Sequence, residues 1–161
     1  MLSDAILLAC RTITREEFAE KWHSAFLAVE HVDAQGRAIA FHTTVTSKDA
    51  IEEGDRSELF EIVKTSRSPY SDRISVGRAT NCDIVMRDPS VSKLHAHFRP
   101  VEECSFELTD LKSQNGTRVN GRTVAAHRPC RVGRGDTVQF GSVVARLFDA
   151  AQLYDRLNAE E

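Results

Sequence analysis

A chain of 161 residues, 41% hydrophobic and 28% charged, has room for one good core and a small appendage but hardly for two full domains. A net charge of -3 argues against a general nucleic-acid binder, and no apolar run approaches the ~20 residues of a membrane helix. Four scattered cysteines (Cys10, Cys82, Cys104, Cys130) lack the C-x-x-C spacing of a zinc or redox site and read as reduced thiols of a cytoplasmic protein. The charge is unevenly spread. Residues 69–148 carry 12 Lys/Arg against 8 Asp/Glu, whereas residues 1–68 carry 8 against 12 and residues 149–161 carry 1 against 4. A mildly basic, Arg-rich middle between acidic flanks fits a local anion site better than a long phosphate-tracking groove.

Along the chain, Ala5-Ile6-Leu7-Leu8-Ala9 follows Asp4 with no basic residue ahead of it, so this stretch reads as a strand or packed terminus rather than a signal peptide. Thr14 and Glu17 are spaced as a capping box, with Ile13 and Phe18 as its hydrophobic staple. Phe18, Trp22, Ala25 and Phe26 then recur as one apolar helical stripe. Residues 26–32 read as a strand, Asp33-Ala34-Gln35-Gly36 as a turn and residues 37–46 as the returning strand. A short helical turn over residues 47–54 would stop at Gly54.

From Ser57 the β signal is nearly continuous. Residues 59–63 read as a buried strand, Ile74 and Val76 alternate up to Gly77, and residues 83–86 form a strand stopped by the turn Asp88-Pro89-Ser90. Leu94, Ala96 and Phe98 alternate with His95, His97 and Arg99, which predicts opposite faces of one strand. Phe106 and Leu108 follow, then Val138 and Phe140, a Gly141-Ser142 turn, and Val143, Ala145 and Leu147. Strands at such regular spacing indicate an all-β sandwich or barrel. Behind an Asp149 cap, Ala150, Leu153, Tyr154 and Leu157 have helical spacing. Arg134-Gly135-Asp136 reads as an ordinary turn ahead of a strand.

The stretch Ser113 to Gly121 contains two Asn-Gly steps, strong turn signals because both residue types tolerate positive φ. Together with Gly77-Arg78, Ser92-Lys93-Leu94-His95, Asp110-Leu111, Asn115-Gly116-Thr117 and Asn120-Gly121, the chain resembles the forkhead-associated (FHA) domain family. Cys82-Asp83-Ile84-Val85, Asp88-Pro89-Ser90-Val91, Gly135-Asp136 and Phe140-Gly141 agree with it, over about residues 57–148. The resemblance implies an FHA-like β-sandwich of about eleven strands whose loops at one end recognise phosphothreonine peptides. Residues 1–56 would be a helix-plus-β-hairpin extension packed on or extending the sandwich, residues 57–148 the FHA domain, and residues 149–161 a short C-terminal helical tail.

The residue chemistry suits that activity. A phosphothreonine carries about -1.5 to -2 charges and three acceptor oxygens at neutral pH. Arg78 offers a permanently charged fork, Ser92 a hydroxyl donor and Lys93 a second positive charge. Each charge-assisted bond nets roughly 1.5–3 kcal/mol, so the rest of the affinity must come from gripping the peptide main chain. The amide of Asn115 both donates and accepts, which suits that grip.

The resemblance thus assigns Arg78, Ser92, Lys93 and Gln114 to the phosphate and Asn115 to the peptide main chain. Arg118, Arg122, Arg128, Arg131 and Arg134 read as a solvated Arg-rich face, the alternative being selection of acidic residues flanking the phosphosite through Arg118, beside the Asn115 loop. Gly77, His95, Gly116, Thr117, Asn120 and Gly121 would be structural support. Gln114 stands where the family often has Thr, and it is longer and more flexible. His95 lies three residues after Ser92, so a Ser/His nucleophilic pair, or a metal site with His97, is the competing reading. The implied protein is a phosphothreonine-binding adaptor in Ser/Thr-kinase signalling of bacterial type, not an enzyme. It would need no cofactor or metal and bind no nucleic acid or membrane, its partners being phosphothreonine-containing proteins such as a Ser/Thr kinase or its substrate. The alternative is an FHA-fold assembly protein that binds unphosphorylated partners.

Overall fold

A computed structural model of the chain describes residues 2–32, 38–39 and 59–159. The order is α1 (Leu2–Thr12), α2 (Arg15–Lys21), β1 (Ala25–Val32), β2 (Ala38–Ile39), β3 (Leu59–Ile62), β4 (Ile74–Gly77), β5 (Ile84–Val85) and β6 (Ala96–Glu102). There follow β7 (Ser105–Asp110), β8 (Thr117–Val119), β9 (Arg122–Thr123), β10 (Cys130–Val132), β11 (Thr137–Phe140), β12 (Val143–Phe148) and α3 (Ala150–Asn158). One sheet runs β2-β1-β12-β11-β8-β9, with β3 also paired to β1; the other runs β10-β7-β6-β4-β5. Side chains of both sheets fill one core, with Leu27, Val138, Phe140 and Leu147 from the first and Val76, Ala96, Phe98 and Leu108 from the second. The expected all-β sandwich is therefore the fold, without a closed barrel.

Strand β1 explains how the N-terminal residues join it. Ala25, Leu27 and Val29 point into the sandwich core, while Phe26 and Ala28 enter a second cluster with Ile6, Phe18, Phe148, Leu153 and Leu157. Both faces are thus buried, which is why Ala25-Phe26-Leu27-Ala28-Val29 is uninterruptedly apolar. The second cluster is roofed by the three helices. Tyr154 Oη donates to Ile13 O at 3.1 Å, and Arg15 forms a two-pronged pair with Asp155.

Three local expectations are corrected. Of the two readings for the first residues, the packed terminus holds and the strand does not: residues 2–12 form a helix, because Ile6, Ala9 and Cys10 share one helical face, all buried, while Leu8 is 65% exposed. The capping box at Thr14 and Glu17 forms, with reciprocal bonds of 2.9 and 3.3 Å, but α2 ends at Lys21. Ala25 and Phe26 therefore belong to β1, where successive residues feed opposite clusters, and not to a continuing helical stripe. At the start of β6, Ala96 and Phe98 are buried as expected, yet Leu94 is 41% exposed and His95 fully buried. Both precede the strand, so its alternation does not reach them. The turn expected at residues 33–36 and the short helix at 47–54 lie outside the described residues; of the returning strand, Ala38 and Ile39 are described and pair with β1. The Asp149 cap and its helix form, closed by a reciprocal Gln152 contact.

Candidate functional site

The pairing brings four loops to one end of the sandwich. Val76 at the end of β4 pairs with Ala96 at the start of β6, and Ala96 pairs with Asp110 at the end of β7. In the other sheet Phe140 pairs with both Thr117 and Val143. The segments after Gly77, before Ala96, between Asp110 and Thr117, and at Gly141-Ser142 are consequently neighbours.

His95 is the post between two of them. It is 0% exposed. Its Nδ1 lies 3.0 Å from the main-chain N of Ser92, which can only donate, and its Nε2 lies 3.0 Å from the carbonyl oxygen of Gly116, which can only accept. One state satisfies both contacts: the neutral imidazole protonated on Nε2. Burial, the dominant influence, pushes the His95 pKa below its usual value despite the Gly116 carbonyl and Asp110 nearby. With both nitrogens engaged, His95 has no lone pair for a metal, and no cluster of three or more metal-ligating side chains occurs among the described residues. Nor does it touch the Ser92 hydroxyl, so the Ser/His nucleophilic pair is not assembled.

Two further nodes fix the loop of Asn115. Buried Asp110 accepts from Ser113 N at 3.1 Å and from Thr117 Oγ1 at 2.6 Å, and its pKa is lowered because these bonds and the Ser113 hydroxyl outweigh burial. Asn115 Nδ2 donates to Ser90 O at 2.8 Å. Ser90 is in turn held through its hydroxyl, 2.6 Å from Asp88 Oδ1 and 2.7 Å from Ser142 Oγ. Gly141, with φ +60°, packs so closely that a Cβ there would lie 2.4 Å from Ser90 O. Gly116 has φ +82°, and its carbonyl also accepts from Gly141 N at 3.1 Å. The Asp88 turn closes with Val91 N donating to Asp88 O at 3.0 Å.

Onto this frame the expected anion-binding groups converge. Arg78 N donates to Ser92 O at 2.9 Å, and its side-chain Nε donates to Val91 O at 3.0 Å, leaving the terminal guanidinium nitrogens without a partner among the described residues. The Ser92 hydroxyl accepts from Gln114 N at 3.0 Å, so its own hydrogen is available to an acceptor outside. Gln114 reaches Ser92 through its main chain while its side chain is exposed. Lys93 is exposed, and its carbonyl is fixed by Ala79 N at 3.1 Å and Cys82 Sγ at 3.3 Å. Gly77 passes so near that a Cβ would sit 2.2 Å from Lys93 O.

Arg118 is exposed on β8, one residue beyond buried Thr117. Asn120 and Gly121 are the two-residue loop of the β8–β9 hairpin, with φ of +51° and +81° as a type I′ turn requires. Asn120 is tied to Asp136 Oδ1 at 3.0 Å and Thr137 N at 2.9 Å and touches none of the anion-binding groups. Residues 133–136 form the expected turn, Asp136 N donating to Gly133 O at 3.1 Å. Ser90, Asp88, Asp110 and Ser142 were absent from the candidate site residues, although the turns Asp88-Pro89-Ser90 and Gly141-Ser142 and the pair Asp110-Leu111 were visible. Their side-chain partners lie across loops that only the sheet pairing brings together.

Comparison with known proteins agrees. The FHA domain family model matches residues 74–141. The chain is 40% identical over 67 residues to the glycogen accumulation regulator GarA of Mycolicibacterium smegmatis, covering 42% of this chain and 40% of that protein. It is 38% identical over 82 residues to human kanadaptin, covering 45% of this chain and 11% of that one, and 36% identical over 67 residues to the FHA domain-containing protein PS1 of Arabidopsis thaliana, covering 41% and 4%. The chain thus spans well under half the length of these relatives. Among solved structures, an FHA domain from Chlamydia trachomatis superposes with a TM-score of 0.51 at 20% identity, over 78% of this chain and 97% of that one. The yeast Dun1 FHA domain, in complex with a doubly phosphorylated peptide derived from Rad53, superposes with a TM-score of 0.51 at 20% identity, over 81% and 78%.

Proposed function

Because the chain carries an FHA domain over residues 74–141, we propose that it is a phosphothreonine-peptide-binding adaptor in Ser/Thr-kinase signalling. The observation that carries this reading is the set of unspent donors on one rigid frame. The terminal nitrogens of Arg78, the hydroxyl hydrogen of Ser92 and the ammonium of Lys93 have no acceptor among the described residues, while the main chain at Arg78, Ala79, Ser92 and Gln114 is tied into the frame. Such preorganised donors suit a phosphate dianion, and the exposed amide of Gln114 can supply a further contact. Asn115 keeps its carbonyl oxygen and one N–H for the peptide main chain, with Arg118 beside it for an acidic flanking residue.

The loops of the binding module in this proposal lie within residues 57–148, but its sandwich also takes in β1, an inner strand between β3 and β12 whose Ala25, Leu27 and Val29 fill the core, while α3 closes the helical roof. Its partners are phosphothreonine-containing proteins, a Ser/Thr kinase or its substrate, and its setting is the cytoplasm. No helix among the described residues is long and apolar enough to cross a membrane. FHA domains are binding modules, and the FHA domain is the family matched over residues 74–141.

The test is an oriented phosphothreonine peptide library, each peptide paired with its unphosphorylated form, against the full chain and Arg78→Ala. The proposal expects binding that vanishes on dephosphorylation and falls by about tenfold or more in Arg78→Ala. Binding indifferent to both changes would transfer the function to a phosphate-independent surface. Deleting residues 1–56 cannot make that distinction, because it removes β1 from between β3 and β12.

A further inference from the structure

Asn115-Gly116 and Asn120-Gly121 are the same dipeptide in two different settings. Asn before Gly is especially prone to spontaneous deamidation, because the main-chain nitrogen of the glycine can attack Cγ of the Asn side chain without a following Cβ in the way. The N–Cγ bond forms, the Cγ–Nδ2 bond breaks, and ammonia leaves with the proton of the glycine N–H, closing a succinimide ring. Water then opens the ring at either carbonyl and gives an aspartyl or an isoaspartyl link. Neither glycine N–H has an acceptor among the described residues, and both glycines have open space where a Cβ would stand. The nucleophile is available in both, so the asparagine side chains decide.

Asn120 is clamped at both ends of its amide. Its Nδ2 donates to Asp136 Oδ1 at 3.0 Å and its Oδ1 accepts from Thr137 N at 2.9 Å, while Val119 and Arg122 pair across the turn. Asn120 and Gly121 are both fixed at positive φ, +51° and +81°. Attack needs the side chain swung over its own following peptide, and each of these contacts must break first. Asn115 is exposed in the irregular loop between β7 and β8 and is held by one bond, from Nδ2 to Ser90 O at 2.8 Å, with its Oδ1 unbonded among the described residues. A neutral hydrogen bond shifts a population by about two- to tenfold. One such bond leaves the reactive rotamer accessible; two, in series with a paired turn, do not.

We propose that Asn115-Gly116 is a self-modification site and Asn120-Gly121 its protected counterpart, so that the chain loses its peptide grip with age. The consequence for binding rests on the phosphopeptide reading above. Deamidation replaces the donor to Ser90 O with a carboxylate, which brings negative charge beside the groups offered to a phosphate dianion. The isoaspartyl link also inserts one extra carbon into the main chain just ahead of Gly116. The carbonyl oxygen of Gly116 is shared by Gly141 N at 3.1 Å and His95 Nε2 at 3.0 Å, and the longer link displaces it from both. A bound peptide that engages Oδ1 and the remaining N–H of Asn115 holds this amide at both ends, as Asn120 is held, so occupancy slows the reaction.

The test incubates the full chain in mildly alkaline buffer and follows both steps by peptide mass spectrometry. Trypsin separates them, because cuts after Lys112, Arg118 and Arg122 release residues 113–118 and 119–122 as different fragments. In the folded chain the Asn115 fragment is expected to convert about tenfold or more faster than the Asn120 fragment, and in denaturant the two rates come together. The converted chain, separated by anion exchange, should bind phosphothreonine peptide about tenfold or more weakly than the unconverted chain, and saturating peptide should slow conversion at Asn115 but not at Asn120. Folded-state rates that are equal, or faster at Asn120, overturn the site. So does a preference for Asn115 that persists unchanged in denaturant, since neighbouring residues rather than the fold would then set it. Conversion at Asn115 that leaves binding intact overturns the loss of grip. Fresh protein that binds no phosphothreonine peptide overturns the phosphopeptide reading, while the two rates still decide the modification site.

Discussion

The side-chain amide of Asn115 donates to the main-chain oxygen of Ser90 at 2.8 Å, so the residue proposed to hold a peptide is itself held by the neighbouring loop. A carboxylate of the same shape cannot make that bond and would face a carbonyl oxygen instead. Asn115→Asp is therefore expected to loosen the loop by about 1–3 kcal/mol, read from denaturant unfolding, and to weaken phosphothreonine-peptide binding by more than Asn115→Ala does, because it adds a negative charge beside the phosphate. Equal binding by the two variants would show that the amide grips nothing.

His95 gives the site a pH limit. Its pKa is lowered by burial, so the unfolded chain takes up this proton before the folded chain does. Its contribution to stability is complete above the ordinary histidine value of about 6.5 and is lost as pH falls through the folded value. His97, also lowered by burial, acts in the same direction, so the component due to His95 is the difference in pH slope between wild type and His95→Ala. That variant should also lose about 2–4 kcal/mol at neutral pH, having stripped Ser92 N and Gly116 O of their partner. The measurement should be thermal unfolding without peptide, since the phosphate's own second ionisation near pH ~6 would otherwise overlap.

Gly77→Ala tests the closeness of the loops. The added Cβ would lie 2.2 Å from Lys93 O and 3.0 Å from Cys82 Sγ, distances that require the Ser92–Lys93 segment to move. A destabilisation of about 1–3 kcal/mol is expected, accompanied by weaker phosphopeptide binding even well below the melting temperature. Gly116→Ala meets nothing within 4 Å and strains only its positive φ, so it should cost about 1–2 kcal/mol with a smaller loss of binding.

Asp83 is a stability residue with an acid limit. Burial opposes its ionisation, but bonds from Thr65, Ser75 and Lys64 outweigh burial and hold its pKa down to about 2. Its contribution is present above the ordinary value of about 3.9 and is lost as pH falls toward the folded value. Asp83→Asn turns an amide toward donors that need an acceptor. It should cost about 3–5 kcal/mol at pH 7 and flatten the acid arm of the stability curve. An unchanged acid arm would assign that arm to other carboxylates.

Elements governed by short-range rules were legible in the residues: the capping box at Thr14, the Asn120-Gly121 turn, the Asp149 cap and the alternating strands from Ile74 onward. The pieces Gly77-Arg78, Ser92 to His95 and Asn115-Gly116 were legible as a site because they occur in order. What escaped depends on partners far away in sequence. Residues 2–12 look β-like in a short apolar window, and only the helical face shared by Ile6, Ala9 and Cys10 resolves them. Leu94 and His95 exchange inside and outside because His95 must reach Gly116, a constraint invisible to local alternation.

Phe26 stands opposite Phe148 across β1 and β12, the first and last of the described strands. During synthesis, the strand at the heart of the larger sheet is therefore made early and lacks one neighbour until β12 emerges. Every proposed phosphate contact is translated in that interval. A product terminated short of β12 would carry Arg78, Ser92 and Asn115 in its sequence but leave an apolar strand with an open edge, a target for aggregation or proteolysis rather than a competitor for the partner. In the proposed function, competence to bind thus arrives with the pairing of β12 onto β1 and not with synthesis of the contact residues.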